Sequence, residues 1–193
     1  MFTGITTETS IARKSPPQRR VDTQLIELAG RNRLVESIIA ADLEVALPVR
    51  DDGADLIVYS RKNDGVFSAR PVQLKTSTRP RFAVDRNKYE GRQGLIMAYV
   101  WGEDRSTIYV LAYDPDIDYI ARKMGWDKTD SWKYGGRKDG GPHEKPGWSC
   151  YPSPKLLELL ERFRATRRRW RTLLERPPEE NPQSSLPIST DGR

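Results

Sequence analysis

The sequence of 193 residues predicts one domain of the α/β or α+β class, with helices before and after a set of short strands. Two observations support this class. Apolar residues recur at helical spacing in an early segment and again near the C-terminus, whereas the five segments between them are short and rich in β-branched and aromatic residues. A chain of this length can also bury a substantial core.

A long helix is predicted from about Asp22 to Leu43. Asp22 is a suitable N-cap, because its carboxylate can accept hydrogen bonds from the unpaired N–H groups of the first turn. At about 100° per residue, five apolar residues fall on one side of the helix, which we expect to face the core. They are Leu25, Leu28, Val35, Ile39 and Leu43.

Five strands are predicted next, separated by clusters of Asp, Gly and Asn; they cover Glu44–Val49, Asp55–Ser60, Val66–Thr76, Leu95–Trp101 and Thr107–Tyr113. Residues 61–65 have the composition of a hairpin turn, so we expect the second and third strands to pair. The domain, predicted over residues 21–176, continues with a short helix at Asp116–Met124, a Gly- and Trp-rich segment at 126–153 and a basic helix at 154–176. Residues 1–20 and 177–193 are predicted to be a flexible basic arm and a disordered tail.

Composition excludes several classes of protein. No apolar run approaches the ~18–20 residues of a membrane span, and we expect a cytoplasmic protein. The single Cys150 and the lack of a Cys/His cluster exclude a disulfide scaffold and a zinc finger. The formal net charge of +6 is uneven, because residues 1–20 contain four bases and one acid, and residues 154–176 contain eight bases and three acids. These two basic segments suit an anionic partner such as nucleic acid. The alternative is that they are only solvated surfaces.

Four polar residues are placed where apolar ones would be expected. Glu36 projects into the apolar side of the long helix, where a carboxylate needs a partner. Asp55 opens a strand, while Gln73 and Lys75 lie two apart in the next one and share a face. The predicted hairpin brings Asp55 close to Gln73 and Lys75, on the face that a packed helix could reach with Glu36. Two carboxylates, an amide oxygen and an ammonium suit a hard cation such as Mg²⁺ and a hydrolytic reaction.

Each of these residues also has a simpler interpretation. Glu36 could be the partner of a nearby arginine at the domain boundary. Asp55 could cap a turn, and Lys75 could protect a strand edge from aggregation. The order and spacing of the set favour the joint interpretation.

The ordered set Glu36, Asp55 and Gln73-Leu74-Lys75 resembles the signature of the PD-(D/E)XK nuclease superfamily. It is most similar to the Gln-x-Lys variants, such as group I intron homing endonucleases, over roughly residues 25–120. Two departures are Ala54 where the signature has proline, and the rival aspartates Asp51 and Asp52. The resemblance implies a restriction-endonuclease-like α/β fold, with a mixed central sheet of about four to five strands flanked by helices.

The resemblance also implies a Mg²⁺- or Mn²⁺-dependent endodeoxyribonuclease that cuts duplex or branched DNA, with a homodimer as the form that cuts both strands. By this likeness Asp55, Gln73, Glu36 and the backbone carbonyl of Leu74 hold the metal. Lys75 then orients or activates the attacking water. Because Gln73 removes one negative charge, a catalytically inactive nuclease-like DNA-binding protein is the alternative.

Candidate contacts to nucleic acid follow directly after Lys75. Residues 76–92 are predicted to form a basic loop with five bases and two acids, and hydroxyl side chains add donors for phosphate oxygens. The predicted contacts are Thr76, Ser77, Arg79, Arg81, Arg86, Lys88 and Arg92, with Arg167, Arg168 and Arg169 of the C-terminal helix. The aromatic residues of the Gly- and Trp-rich segment could stack on bases or pin that segment to the domain, and we favour the second. His143 is predicted to be a surface residue.

Overall fold

The structure is a computed structural model that describes residues 22–50, 53–61, 67–89, 91–102, 104–134 and 147–175. The predicted arm and tail, residues 62–65 of the predicted hairpin turn, the rival aspartates Asp51 and Asp52, and His143 lie outside the described residues. The described part contains no helix that is both long enough and apolar enough to cross a membrane.

The described residues contain seven strands and six α-helices. The strands are β1 (Glu44–Ala46), β2 (Leu56–Arg61), β3 (Phe67–Ser77), β4 (Phe82–Asp85), β5 (Ile96–Trp101), β6 (Thr107–Ala112) and β7 (Gly147–Cys150). The helices are α1 (Thr23–Ile39), α2 (Arg86–Tyr89), α3 (Tyr113–Met124), α4 (Asp130–Tyr134), α5 (Pro154–Leu160) and α6 (Arg167–Glu175).

The central sheet has five strands in the order β1-β2-β3-β5-β6. The β3–β5 pair is parallel and the other three pairs are antiparallel, so the sheet is mixed. The predicted α/β class, with a mixed sheet of four to five strands flanked by helices, is confirmed. The predicted pairing of the second and third strands is also confirmed, with Leu56 opposite Val72.

Two elements differ from the prediction. The basic stretch 76–92 is not a loop, because it contains β4 and α2, and β4 pairs with β7 in a second sheet of two strands. The predicted helix at 154–176 is interrupted at Arg164, whose backbone is extended and forms a bridge with Tyr109. The next N–H, from Ala165, donates to the carbonyl of Ile108 at 3.0 Å, so the chain joins the sheet edge instead of continuing the helix.

The buried side of α1 is not the predicted one. Gly30, Leu34 and Ile38 face the sheet, whereas Leu25 and Leu28 are 62% and 51% exposed. A Cβ on Gly30 would lie 2.3 Å from the Oγ1 atom of Thr76 in β3. Helix α1 therefore approaches β3 most closely at Gly30, which has no side chain. This contact, and not the spacing of the leucines, sets the rotation of α1 about its axis.

The two faces of the sheet bury separate apolar clusters. On one face, residues of α1 and α6 pack on Val72 and Leu74 of β3. On the other, residues of α3, α5 and β4 pack on Tyr99 and neighbouring residues of β5. Because side chains alternate along β3, Gln73 and Lys75 point to this second face, away from α1. The expectation that the long helix covers their face is therefore wrong.

Candidate functional site

Asp55 lies at the point where β3 extends beyond the end of its partner strand. The last pair of the β2–β3 ladder joins Leu56 to Val72, and the backbone N–H of Asp55 donates to the Val72 carbonyl at 2.8 Å. The next N–H of β3 on this edge, from Leu74, donates to Asp55 Oδ2 at 2.6 Å. The carboxylate thus takes the place of a missing strand neighbour, because a buried N–H needs an acceptor.

Gln73 lies directly against this carboxylate. Its side-chain Nε2 donates to Asp55 Oδ2 and, at 3.2 Å, to the carbonyl of Leu74. Its other polar atom, Oε1, is buried and accepts no hydrogen bond from the residues that the structure describes. Gln73 is only 6% exposed, and a buried carbonyl oxygen without a donor is costly, so this oxygen is a candidate ligand for a cation.

Lys75 lies on the same face of β3 as Gln73. Its Nζ is 5.4 Å from the centre of the Tyr89 ring. Burial lowers the pKa of Lys75 below its ordinary value, whereas the charges of Asp55 and Asp85 act to raise it. Lys75 is therefore a partly desolvated amine in the electrostatic field of the Asp55 carboxylate.

Two cavities meet at Lys75. A cavity of about 510 Å³ opens along the free edge of β3. The first residues of α1, among them Glu27, also line this cavity. A second cavity of about 320 Å³ is lined by Asp85, Trp148 and Ser149. Both cavities share Lys75, Arg81 and Ala83, so a ligand can approach the amine of Lys75 from two sides.

Glu36 does not lie at this site. Its side chain is 65% exposed, pairs with Arg33 at 2.5 Å and lines a different cavity of about 270 Å³ with Arg167. The prediction that it faces the body of the protein is wrong, because the rotation of α1 is set at Gly30. The simpler interpretation, an ion pair with a neighbouring arginine, describes what the structure shows.

Glu27 is the carboxylate of α1 that lines the Lys75 cavity. It also pairs with Arg31 at 3.1 Å on the next turn of the helix. The sequence contained a signal for it, since Glu27 precedes Gly30 by three residues and a glycine inside a helix indicates close packing. Residues three apart on a helix are neighbours on one side, so Glu27 lies beside the contact with β3.

The predicted contacts after Lys75 are partly engaged within the protein. Thr76 packs against Gly30, and its hydroxyl is buried. Ser77 Oγ donates to the carbonyl of Arg79 at 2.5 Å, while Arg79 is exposed. Arg81 is also exposed and donates through Nε to Ser149 Oγ at 3.1 Å, which joins the ends of β4 and β7.

The remaining bases of this stretch lie on α2 and just after it. Arg86 donates to the carbonyl of Trp132 at 3.4 Å and lies over its ring. Lys88 is exposed, and its Nζ is 5.5 Å from the centre of the Tyr89 ring. Arg92 donates to the carbonyl of Lys88 at 3.3 Å. Arg79, Arg81 and Lys88 are therefore the bases of this stretch that are most accessible to a ligand.

The three arginines of α6 that were predicted as phosphate contacts have different surroundings. Arg167 pairs with Asp42. Arg169 is only 15% exposed, pairs with Asp116, and donates to the carbonyl of Val110 at 3.1 Å. Arg169 was predicted as a phosphate contact, and in the structure its guanidinium joins α6 to α3 and β6. Arg168 is exposed, as a phosphate contact requires.

The tryptophans of the Gly- and Trp-rich segment pack inside the domain. Trp126 and Trp132 are buried, and the Trp126 ring stacks on Trp148 with centres 5.0 Å apart. For these three side chains the structural interpretation is confirmed.

Acidic, histidine and cysteine side chains do not gather in groups of three or more within the described ranges. A cation at the β3 edge would therefore rely on one or two carboxylates and on neutral oxygens. Comparison with models of known families, with curated proteins and with solved structures finds no match to this chain.

Proposed function

We propose that the protein is a metal-dependent endodeoxyribonuclease that hydrolyses phosphodiester bonds at the free edge of β3. The observation that carries this proposal is that the Asp55 carboxylate accepts a hydrogen bond from the Gln73 amide and acts electrostatically on the Lys75 amine, which lines two cavities. A strand edge that carries a carboxylate, a neutral oxygen and an amine can hold a cation and a phosphate together.

The residues at this edge fit a Mg²⁺ or Mn²⁺ ion. Asp55 supplies a carboxylate, Gln73 supplies a buried oxygen without a hydrogen-bond donor among the described residues, and Leu74 supplies a carbonyl. Mg²⁺ typically takes one or two carboxylates and keeps several waters, which suits this small set. Glu27, in place of Glu36, is the helix carboxylate that the structure brings to the cavity. When bound, the ion would offset the negative charge that develops on the phosphate.

We assign to Lys75 the role of orienting or activating the attacking water. Partial burial lowers the pKa of Lys75, which makes the neutral amine easier to form than it is in water. The charge of Asp55 acts in the opposite direction and stabilises the ammonium form. The side chain can therefore hold or pass a proton at Nζ beside the phosphate. Arg79, Arg81 and Lys88 would bind the flanking phosphates of DNA, in a manner that weakens with salt.

The test is cleavage of linear, supercoiled, branched and single-stranded DNA by highly pure protein, with Mg²⁺, with Mn²⁺ and with EDTA. We expect metal-dependent cutting that Lys75→Ala abolishes while the circular dichroism spectrum stays unchanged. Lys123→Ala is the matched control, because Lys123 is an exposed lysine on α3 that contacts Tyr119. Absence of cutting on every DNA form in both metals would refute the catalytic proposal. The dependence of cutting on protein concentration tests the homodimer.

A DNA-binding protein without nuclease activity is the second candidate. It is favoured by the neutral Gln73 side chain and by the small number of carboxylates that meet at the described site. In that case DNA binding persists and falls steeply with salt, and metal ions leave the melting temperature unchanged.

A further inference from the structure

The Tyr89 ring lies beneath the Lys75 amine, and Tyr89 is not one of the residues that carry the resemblance. The ring is fully buried at the end of α2, and Lys75 Nζ lies 5.4 Å from its centre. We propose that Tyr89 is a positioning residue, whose ring face holds the Lys75 ammonium at the reaction site. This inference rests on the proposed function for its effect on cleavage, but the contact itself can be tested without cleavage.

Lys75 needs such a support because its side chain is long and flexible. A lysine has four rotatable bonds, and fixing them costs conformational entropy. An aromatic face attracts a cation within about 6 Å of its centre, and more strongly when water is excluded. The buried ring of Tyr89 meets both conditions, so it restricts the amine to the side of β3 that carries Gln73.

The segment that carries the Tyr89 ring is held against β5 and α3. Tyr99, the neighbour of Lys75 on β5, donates from its hydroxyl to the carbonyl of Ala83 in β4 at 2.9 Å. Tyr113 meets the Tyr89 ring edge-on with centres 5.7 Å apart. The Tyr113 hydroxyl also donates to the carbonyl of Arg86 at 3.4 Å. These contacts hold Ala83 of β4 and the start of α2 in place, and the Tyr113 ring packs against Tyr89, which favours a ring position set before a substrate binds.

The ring face, not the hydroxyl, makes the contact. Burial raises the pKa of Tyr89 above its ordinary value although Lys88 lowers it, so the phenol stays neutral near pH 7. The Tyr89 hydroxyl makes no hydrogen bond of full geometry to a described residue, although Lys88 lies beside it. Phenylalanine at this position therefore keeps the contact with Lys75, whereas leucine keeps an apolar side chain and loses the aromatic face.

The first measurement is an NMR spectrum of the full chain labelled with ¹³C-lysine, in which Lys75→Met assigns the Lys75 signal. We expect the Hε protons of Lys75 to be shifted upfield by the ring current in the wild type and in Tyr89→Phe, and to return to the range of exposed lysines in Tyr89→Leu. Tyr119→Leu is the matched control, because Tyr119 lies under Lys123 at 5.7 Å. It should leave the Lys75 signal unchanged.

The second measurement is steady-state cleavage at saturating Mg²⁺. Tyr89→Leu should lower kcat by about tenfold with little change in KM for DNA, the size expected for one desolvated cation–π contact. Tyr89→Phe should stay within about twofold of the wild type. If Tyr89→Leu does not fold, as its thermal melt will show, Tyr89→Met replaces it.

The outcomes separate the two proposals. An unshifted Lys75 signal in the wild type, or a shift that survives Tyr89→Leu, overturns the positioning role whether or not DNA is cut. Equal losses of kcat in the Phe and Leu variants would assign the effect to the hydroxyl and also overturn it. A shifted signal that Tyr89→Leu removes, in a protein that cuts no DNA, supports the contact and refutes only the nuclease proposal.

Discussion

Replacing Gly30 by alanine should destabilise the protein, because α1 touches β3 at this residue. The new Cβ would lie 2.3 Å from Oγ1 and 2.8 Å from Cβ of Thr76. Thr76 is β-branched and is held in a strand whose neighbour is β5, so it cannot move away without displacing the sheet. Overpacking costs about 1–3 kcal/mol, and a Cβ contact well below 3.0 Å belongs to the upper part of that range, about 2–3 kcal/mol.

Helix propensity acts in the opposite direction. Alanine is about 1 kcal/mol better than glycine in a helix interior, so the net destabilisation should be about 1–2 kcal/mol. In a domain of this size, this corresponds to a fall of about 2–8 °C in the melting temperature. Asn32→Ala is the control, because Asn32 is an exposed residue of the same helix and should gain slightly in stability.

Thermal and urea unfolding of Gly30→Ala, Thr76→Gly, the double variant Gly30→Ala/Thr76→Gly and the control Asn32→Ala test this reasoning. The double variant removes the Thr76 atoms that the new methyl group would contact, so the two substitutions should compensate each other in a double-mutant cycle. Gly30→Ala as stable as the wild type, or a cycle with no coupling, would show that α1 and β3 are not in close contact at this point. The rotation of α1, and with it the assignment of Glu27, would then be wrong.

Two further pairs of variants test the corrected site. Glu27→Gln should lower metal-dependent cleavage by about 10–100-fold, whereas Glu36→Gln should leave it within about twofold. The reason is that Glu27, and not Glu36, lines the Lys75 cavity. Equal effects of the two variants in the cleavage assay would contradict this assignment. Arg169→Met should lower the free energy of unfolding by about 3 kcal/mol, because it leaves the buried Asp116 without its cation. Arg168→Met should change stability by less than about 0.5 kcal/mol and weaken DNA binding only, and urea unfolding with salt-dependent binding measures both quantities. A stable Arg169→Met variant would mean that this ion pair is not part of the core.

At the β3 edge the prediction from the sequence agrees with the structure, because the contacts there are between segments close together in the chain. Asp55, Gln73 and Lys75 belong to two strands joined by a short connection, so one antiparallel register places them together. Alternation along β3 then puts Gln73 and Lys75 on one face. Neither step needs knowledge of the rest of the chain, and both could be derived from residue spacing.

The errors concern contacts between distant segments. The rotation of α1 depends on a close approach between Gly30 and Thr76, and the apolar residues of the helix lie nearly all round it, so their spacing did not reveal the buried side. The second sheet pairs Phe82 with Cys150, a partner far along the chain that no local pattern indicates. Arg169 looked like part of an exposed basic cluster, because its partner Asp116 belongs to α3.

The sequence by itself determined the α/β class, the strands of the central sheet and the meeting of Asp55 with Gln73 and Lys75, because hydrophobic period and strand alternation are properties of neighbouring residues. Only the tertiary structure decided which helix carboxylate reaches the site and that the Tyr89 ring lies beneath Lys75. Those contacts depend on how separate elements pack, and packing is decided by close approaches such as that of Gly30 to Thr76, which a one-dimensional pattern does not contain.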